Sequence, residues 1–303
     1  MSRILVTGSA GYIGSTLCKY LIDAGHKVVA LDNFRHGIPS LNYLCAEPRF
    51  TLVRGDCRDE NTLKSLLKAA DAVIPLAALV GVAECERDTF AAQSTNADAI
   101  KLLIRVRSKS QRVLYPNTNS GYGTSGEEIC TEESELKPIS LYGRTKCEAE
   151  RAVVDAGNFT VFRLATVFGM SPRMRWDLMV SDFVLRAVRD KAMVLFEPYY
   201  RRNFVHVRDV ARAFVWALVD NGDANDQVFN LGLDDANLTK AGLCERIKKH
   251  VPEFTWSTAE HMKDIDARNY YVSNERIGRA GFSPIHSLDQ GIDELIKGAQ
   301  QYL

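Results

Sequence analysis

A short apolar run, RILVT at residues 3–7, ends directly on Gly8-Ser9-Ala10-Gly11-Tyr12-Ile13-Gly14. The residues that follow place Ile13, Leu17 and Leu21 on one helical face, and Gly25 supplies a stop. This is a strand, a glycine turn and a helix in immediate succession. Gly8 and Gly11 permit a tight turn and close approach of backbone to an anion, which the helix N–H groups and dipole then hold. A buried strand that feeds a helix needs a parallel neighbour and a crossover connection, so the first fourteen residues already commit the chain to an α/β sheet. Asp32 closes the second strand-like run, at roughly the 20-residue offset of an acid that reads a ribose diol. Its carboxylate would repel a 2′-phosphate, which favours NAD; Arg35 nearby is the feature that would suit NADP. Asp56, after the third run, either contacts adenine or caps the helix that begins near Glu60.

The alternation continues. Strands are predicted at 3–7, 27–32, 50–54, 72–76, 112–117, 159–164 and 227–231, apolar on both faces as buried parallel strands are. Helices are predicted at 62–70, 98–107 and 141–155. The expected fold class is a Rossmann-type, doubly wound parallel α/β sheet with a smaller C-terminal lobe. The dinucleotide-binding domain spans 1–168 plus about 203–235. Residues 169–202 and 236–303, where Pro, aromatic and Arg residues fall at irregular spacing, form the substrate lobe. Lys plus Arg and Asp plus Glu number 38 each, so bulk charge favours neither nucleic acid nor an acidic membrane surface. No signal peptide or transmembrane run is evident, and the seven cysteines include no Cys-x-x-Cys pair. No metal site is expected, and the expected location is the cytoplasm.

The chemistry is concentrated in two stretches. Tyr142 and Lys146 form Tyr-x-x-x-Lys, a spacing that puts both on one helical face. An adjacent ammonium favours phenolate, and Tyr142 would then take a proton from a sugar hydroxyl as hydride leaves the same carbon. Thr118 in PNTNSGYG would hold that hydroxyl.

GSAGYIG, Asp32, the 118–123 loop, Tyr142 with Lys146, and RRNFVHVRDVARAF together resemble the extended short-chain dehydrogenase/reductase family. The likeness is to its NAD-dependent nucleotide-sugar epimerase/dehydratase branch and covers essentially the whole chain. The resemblance implies a Rossmann domain that binds NAD, a lobe for a nucleoside-diphosphate sugar, and a homodimer. It implies a cofactor set of Gly8, Gly11, Tyr12, Ile13, Gly14, Asp32, Asn33, Asp56, Cys57, Leu76, Ala77, Ala78 and Asn96, with Tyr142 and Lys146. Asn96 would bridge the helix and loop that carry the site.

On the substrate side it implies Thr118, Asn119, Ser120, Thr166, Arg202 and Arg268, the two arginines on phosphate. Arg173 and Arg175 would reach phosphate or sugar, and Met179 would border the base. The 4,6-dehydratases carry acids after the catalytic Thr, where this chain has Asn119 and Ser120. These two lack a carboxyl proton, which favours an epimerase or dehydrogenase, unless they only shape the turn. Thr166 stands where relatives often place an Asn. NTNSGYG and FRLATVFGMSPRMR are similar to bacterial enzymes that modify GDP-manno-heptose, a 4-dehydrogenase among them. His206 is expected to be structural and Asp209 to be a helix N-cap.

Overall fold

The computed structural model describes residues 1–219, 222–259 and 268–302. Seven parallel strands form the central sheet. From one edge to the other they are Gln227–Leu231, Phe159–Leu164, Arg112–Thr118, Ala72–Pro75, Arg3–Thr7, Lys27–Asp32 and Phe50–Arg54. The chain starts in the middle, works outward to the Phe50–Arg54 edge, then crosses back to Ala72–Pro75 and works to the other edge. The strand order reverses between Arg3–Thr7 and Ala72–Pro75. That reversal leaves a crevice at their carboxyl ends, where ligands of doubly wound sheets bind.

Burial explains most of these strands. Ile4, Leu5, Val6, Val73, Ile74, Val113, Leu114, Val161 and Phe162 are all fully enclosed. Phe50–Arg54 departs from the expectation of two apolar faces. It is the edge strand, and Thr51, Leu52 and Arg54 lie exposed. An edge strand has no second neighbour to cover it.

The helices differ from the pattern only at their ends. The helix expected from residue 62 runs Glu60–Leu67, because Asp59 caps it by accepting the Thr62 N–H at 2.6 Å. Asp56 therefore is not the cap. The helix expected from residue 98 is preceded by Thr89–Gln93 and a π-turn at Ser94–Asp98, and then runs Ala99–Val106. Helix Leu141–Ala156 starts on Ser140, whose hydroxyl accepts the Gly143 N–H at 3.1 Å.

A second apolar core gathers Phe168, Val180, Phe183, Val184, Leu195, Phe204, Leu243, Ile247, Phe254, Leu288, Ile292 and Leu295. It draws on helices Met179–Arg189, Lys240–Lys248 and Leu288–Ala299. The stretch 171–200 is thus more regular than its sequence suggests, since its apolar residues face a core assembled from distant segments. Asp209 does not cap a helix. It lies inside Val207–Val219, fully buried, and accepts the Ile285 and His286 N–H groups at 3.2 and 2.9 Å. Arg212 balances its charge at 2.6 Å, and His286 Nδ1 lies 3.0 Å from it. His206 is also fully buried, stacked on His286. All seven cysteines are free thiols. Among the described residues no helix is long and apolar enough to cross a membrane.

The glycine turn gives a direct test of this packing. A Cβ on Gly14 would sit 2.4 Å from the Gly8 carbonyl oxygen and 2.8 Å from Ser9 Cα. Both neighbours are backbone and cannot swing aside. Gly14→Ala is expected to destabilise the protein by about 1–3 kcal/mol, read as a lowered urea midpoint at constant m-value.

Candidate active site

Gly8 has φ +69°, and a Cβ there would meet Ala77 N at 2.5 Å and the Leu76 carbonyl carbon at 2.8 Å. The two strands that flank the reversal touch backbone to backbone at this point, which no other residue would allow. Leu76 N donates to Thr7 O at 2.9 Å and leads the 76–78 segment away along the crevice rim. Helix Tyr12–Asp23 begins on Gly11 with no side-chain cap and no acid in its first turn. Its first N–H groups and its positive dipole end are therefore suited to an outside anion. Ser9 is fully buried with its Oγ unpartnered among the described residues.

Asp32 holds the turn in place. Its carboxylate accepts the Ala10 N–H at 2.9 Å and the Phe34 N–H at 2.7 Å. Asn33 accepts the Arg35 N–H at 3.1 Å, and Arg35 pairs with Glu84 at 3.1 Å. Asp56 pairs with Arg58 at 2.6 Å, and burial pushes the neighbouring Cys57 thiol up to about 12. The bare helix end, the Cβ-free cradle and the acid beside it fit a dinucleotide diphosphate and its ribose.

The second half of the site lies on the loop after strand Arg112–Thr118 and on the face of helix Leu141–Ala156. Thr118 Oγ1 accepts the Ser120 N–H at 3.1 Å and donates to Ser120 Oγ at 2.9 Å. It lies near enough to the Tyr142 phenol to pull its pKa down. Three hydroxyls, those of Ser120, Thr118 and Tyr142, thus gather at this end of the crevice. Asn119 is fully enclosed, and both ends of its carboxamide lack a partner among the described residues. Asn96, in the π-turn, accepts the Leu79 N–H at 2.8 Å and donates to Leu79 O at 2.9 Å and Thr145 Oγ1 at 3.3 Å. It thus ties the loop beyond Ala78 to the helix that carries Tyr142 and Lys146.

The electrostatics differ from the sequence expectation. Burial pushes the Tyr142 phenol up to about 12, and the cations that pull hardest the other way are Arg268 and Arg175 rather than Lys146. Lys146 is itself buried, its ammonium 4.1 Å over the Tyr115 ring. Burial lowers it to about 7, against the opposing pull of Cys147 and Glu150. Shared helical spacing places the pair on one helix, but spacing carries no information on desolvation.

Beneath the loop lies a polar network that motif reading missed. Glu150 forms a buried ion pair with Arg163 at 2.6 Å and accepts a hydrogen bond from Asn117. Arg163 donates to the Tyr122 hydroxyl at 3.0 Å, and that hydroxyl donates to Asn230 Oδ1 at 2.6 Å. This network underpins both ends of the 118–122 turn. The available signal was Glu150 at four residues past Lys146, on the same helical face.

The substrate-side residues are scattered more widely. Arg175 is mostly buried and pairs with Asp177 at 2.5 Å, within electrostatic reach of both Tyr12 and Tyr142. Arg268 acts on the same phenol. The first residues of its DARNYYVSN motif lie outside the described residues. Arg202 is not a surface residue. It is 1% exposed, 5.5 Å over the Tyr270 ring, and donates to the backbone carbonyls of Arg201 and Arg268. Thr166 opens a short strand, Thr166–Phe168, beside Arg201–His206. Met179 packs on the second core. Among the described residues no His, Cys, Asp and Glu side chains converge as a metal site.

Comparison with known proteins decides the family. The model of the NAD dependent epimerase/dehydratase family matches residues 4–232. The chain belongs to that family. It is 31% identical over 232 residues to an uncharacterised UDP-glucose epimerase of Bacillus subtilis, covering 71% of this chain and 72% of the relative. A dTDP-glucose 4,6-dehydratase of Streptomyces niveus is 25% identical, with 97% and 92% coverage. Among solved structures, MoeE5 in complex with UDP-glucuronic acid and NAD superposes with a TM-score of 0.83 at 26% identity, covering 99% of this chain and 100% of that one. The UDP-glucuronic acid 4-epimerase of Bacillus cereus gives a TM-score of 0.87 at 24% identity, with 99% and 100% coverage, which speaks to the fold. The protein is thus an NAD-dependent enzyme of the nucleotide-sugar epimerase/dehydratase type, on a Rossmann sheet.

The depressed Lys146 ammonium has a measurable consequence. The folded protein binds fewer protons than the unfolded chain between about pH 7 and the ordinary lysine value near 10.5. Wild-type stability therefore gains from this group as pH rises through that window. Lys146→Met keeps the apolar stem and removes the titration. Its thermal midpoint is expected to exceed wild type by several degrees near pH 7, and the gap is expected to shrink steadily toward pH 10.

Proposed function

We propose that this enzyme oxidises C4 of a nucleoside-diphosphate sugar, as a sugar-nucleotide 4-epimerase or 4-dehydrogenase. The observation that carries this reading is the gathering of the Ser120, Thr118 and Tyr142 hydroxyls, with Asn119 and Ser120 where a dehydratase would carry acids. Thr118 accepts or donates at the substrate hydroxyl, and Tyr142 in its phenolate form removes the proton. The glycine turn and Asp32 would hold NAD, which would supply the hydride acceptor for that carbon. Arg268 and Arg175 favour the phenolate electrostatically. Arg202 and Arg268 are adjacent through the Arg202 hydrogen bond to the Arg268 carbonyl, which supports a common task on the substrate diphosphate.

Elimination of water to a 4-keto-6-deoxy sugar needs an acid and a base beside the sugar. The positions that would supply them hold Asn119 and Ser120, and the dominant charges on the phenol are cationic. A dehydratase reading is therefore disfavoured despite dehydratases among the relatives. A purely dinucleotide-sensing role leaves the Thr118, Tyr142 and Lys146 constellation without a purpose. GDP-heptose remains a candidate substrate on the likeness of the 117–123 and 162–175 segments. A homodimer fits the groove along helix Leu141–Ala156, lined by Leu136, Pro138, Cys147, Arg151 and Val154.

The test is incubation with NAD and a panel of UDP-, GDP- and dTDP-linked sugars, with products read by proton NMR. A sugar inverted at C4, or a 4-keto product with its 6-hydroxyl intact, is expected; a 4-keto-6-deoxy product overturns the reading. Tyr142→Phe is expected to lower kcat by about 10²–10⁴-fold, while nucleotide-sugar affinity by calorimetry changes little.

A further inference from the structure

The segment that follows strand Thr166–Phe168 leaves the sheet and docks on the dinucleotide helix. Gly169 O accepts the Tyr12 hydroxyl at 2.6 Å. Ser171 Oγ donates to Tyr12 O at 2.6 Å and lies 3.0 and 3.2 Å from the Ser15 and Thr16 hydroxyls. Met170 N donates to Glu294 Oε1 at 2.7 Å, which holds the same segment from the C-terminal helix. Four hydrogen bonds thus root residues 169–171 on the first turn of the helix that starts at Gly11.

Two residues further on stands Arg173. It is half-buried, and its Nε is enclosed with no hydrogen-bond partner among the described residues. An enclosed guanidinium N–H without an acceptor costs free energy unless a ligand supplies one. Asp32 and His36, both just past strand Lys27–Asp32 or at its end, lie within electrostatic reach of this guanidinium, as do Arg175 and Asp177. Asp32 has no oxygen to itself, since each already accepts a backbone N–H. Arg175 is engaged by Asp177, and Arg35 by Glu84. Arg173 is therefore the cation at this end of the crevice whose Nε faces Asp32's surroundings without an assigned acceptor. Asp32 marks the adenosine ribose in a sheet of this kind.

We infer that Arg173, although carried by the substrate lobe, binds the adenosine–diphosphate half of NAD rather than the sugar nucleotide. The segment 169–173 is rooted on the dinucleotide helix, and the Arg173 guanidinium at its end would hold the cofactor's anionic half. The inference rests on NAD binding alone and is independent of which sugar reaction the enzyme performs.

The test is binding, not turnover. Titration calorimetry of the full chain with NAD, ADP-ribose, UDP and GDP would compare wild type with Arg173→Ala and Arg173→Lys. Arg173→Ala is expected to weaken NAD and ADP-ribose by a similar factor, about tenfold or more for one lost charge-assisted hydrogen bond. UDP and GDP affinities are expected to stay within about twofold, and Arg173→Lys to fall between. A second measurement uses the wild type only: modification of Arg173 by phenylglyoxal, followed by peptide mass, is expected to be blocked by ADP-ribose and not by UDP or GDP. Unchanged ADP-ribose binding, loss confined to the nucleoside diphosphates, equal loss of both classes, or protection by UDP or GDP would each overturn the inference.

Discussion

The contact between Gly8 and the backbone of Ala77 is the constraint on which the site depends. It joins the carboxyl ends of the two strands between which the sheet reverses, at a separation that excludes any side chain. With that gap closed, the first helix starts at a fixed point, its bare N-terminus faces the crevice, and Asp32 reaches back to Ala10. A residue larger than glycine would push the turn away from the neighbouring strand and move every element that refers to it.

The half of the crevice that carries Thr118 and Tyr142 is held by a different means. The 118–122 turn and helix Leu141–Ala156 are locked through Glu150, Arg163 and Tyr122 in a low-dielectric setting. Burying a charge pair of this kind costs desolvation, and its value lies in geometry rather than stability. The same enclosure works against the chemistry, since it raises the phenol and lowers the ammonium. Cations from the second lobe, Arg268 and Arg175, partly offset it. These distant segments are thus electrostatic partners of the phenol.

Much of this was legible in the residues. The glycine turn, Asp32 and the seven strand runs mark the sheet because buried parallel strands and phosphate turns have few alternative sequences. The placement of Tyr142 and Lys146 on one helix and of Thr118 at a strand end was legible because helical spacing and loop position survive without tertiary knowledge. The rest depends on segments distant in sequence. Asp209 looks like a cap until residues 285 and 286 are seen to arrive at its carboxylate. Arg202 reads as a phosphate-binding arginine, and nothing in the letters shows that it is enclosed over Tyr270. The role of Lys146 could not be read, because a pKa follows from enclosure by Tyr115 and the surrounding core rather than from the letters beside it.

The π-turn at Ser94–Asp98 has a wider meaning. It advances the chain by one residue, so the two helical pieces on either side are out of phase. Ala92 before it meets Leu79 and Cys85, while Ile100 and Leu103 after it meet the flank of the sheet. An unbroken α-helix could satisfy one of these neighbours but not both. The irregularity is a gear change between two packing registers, and Asn96 occupies the one position where the extra residue leaves a carboxamide pointing inward between them.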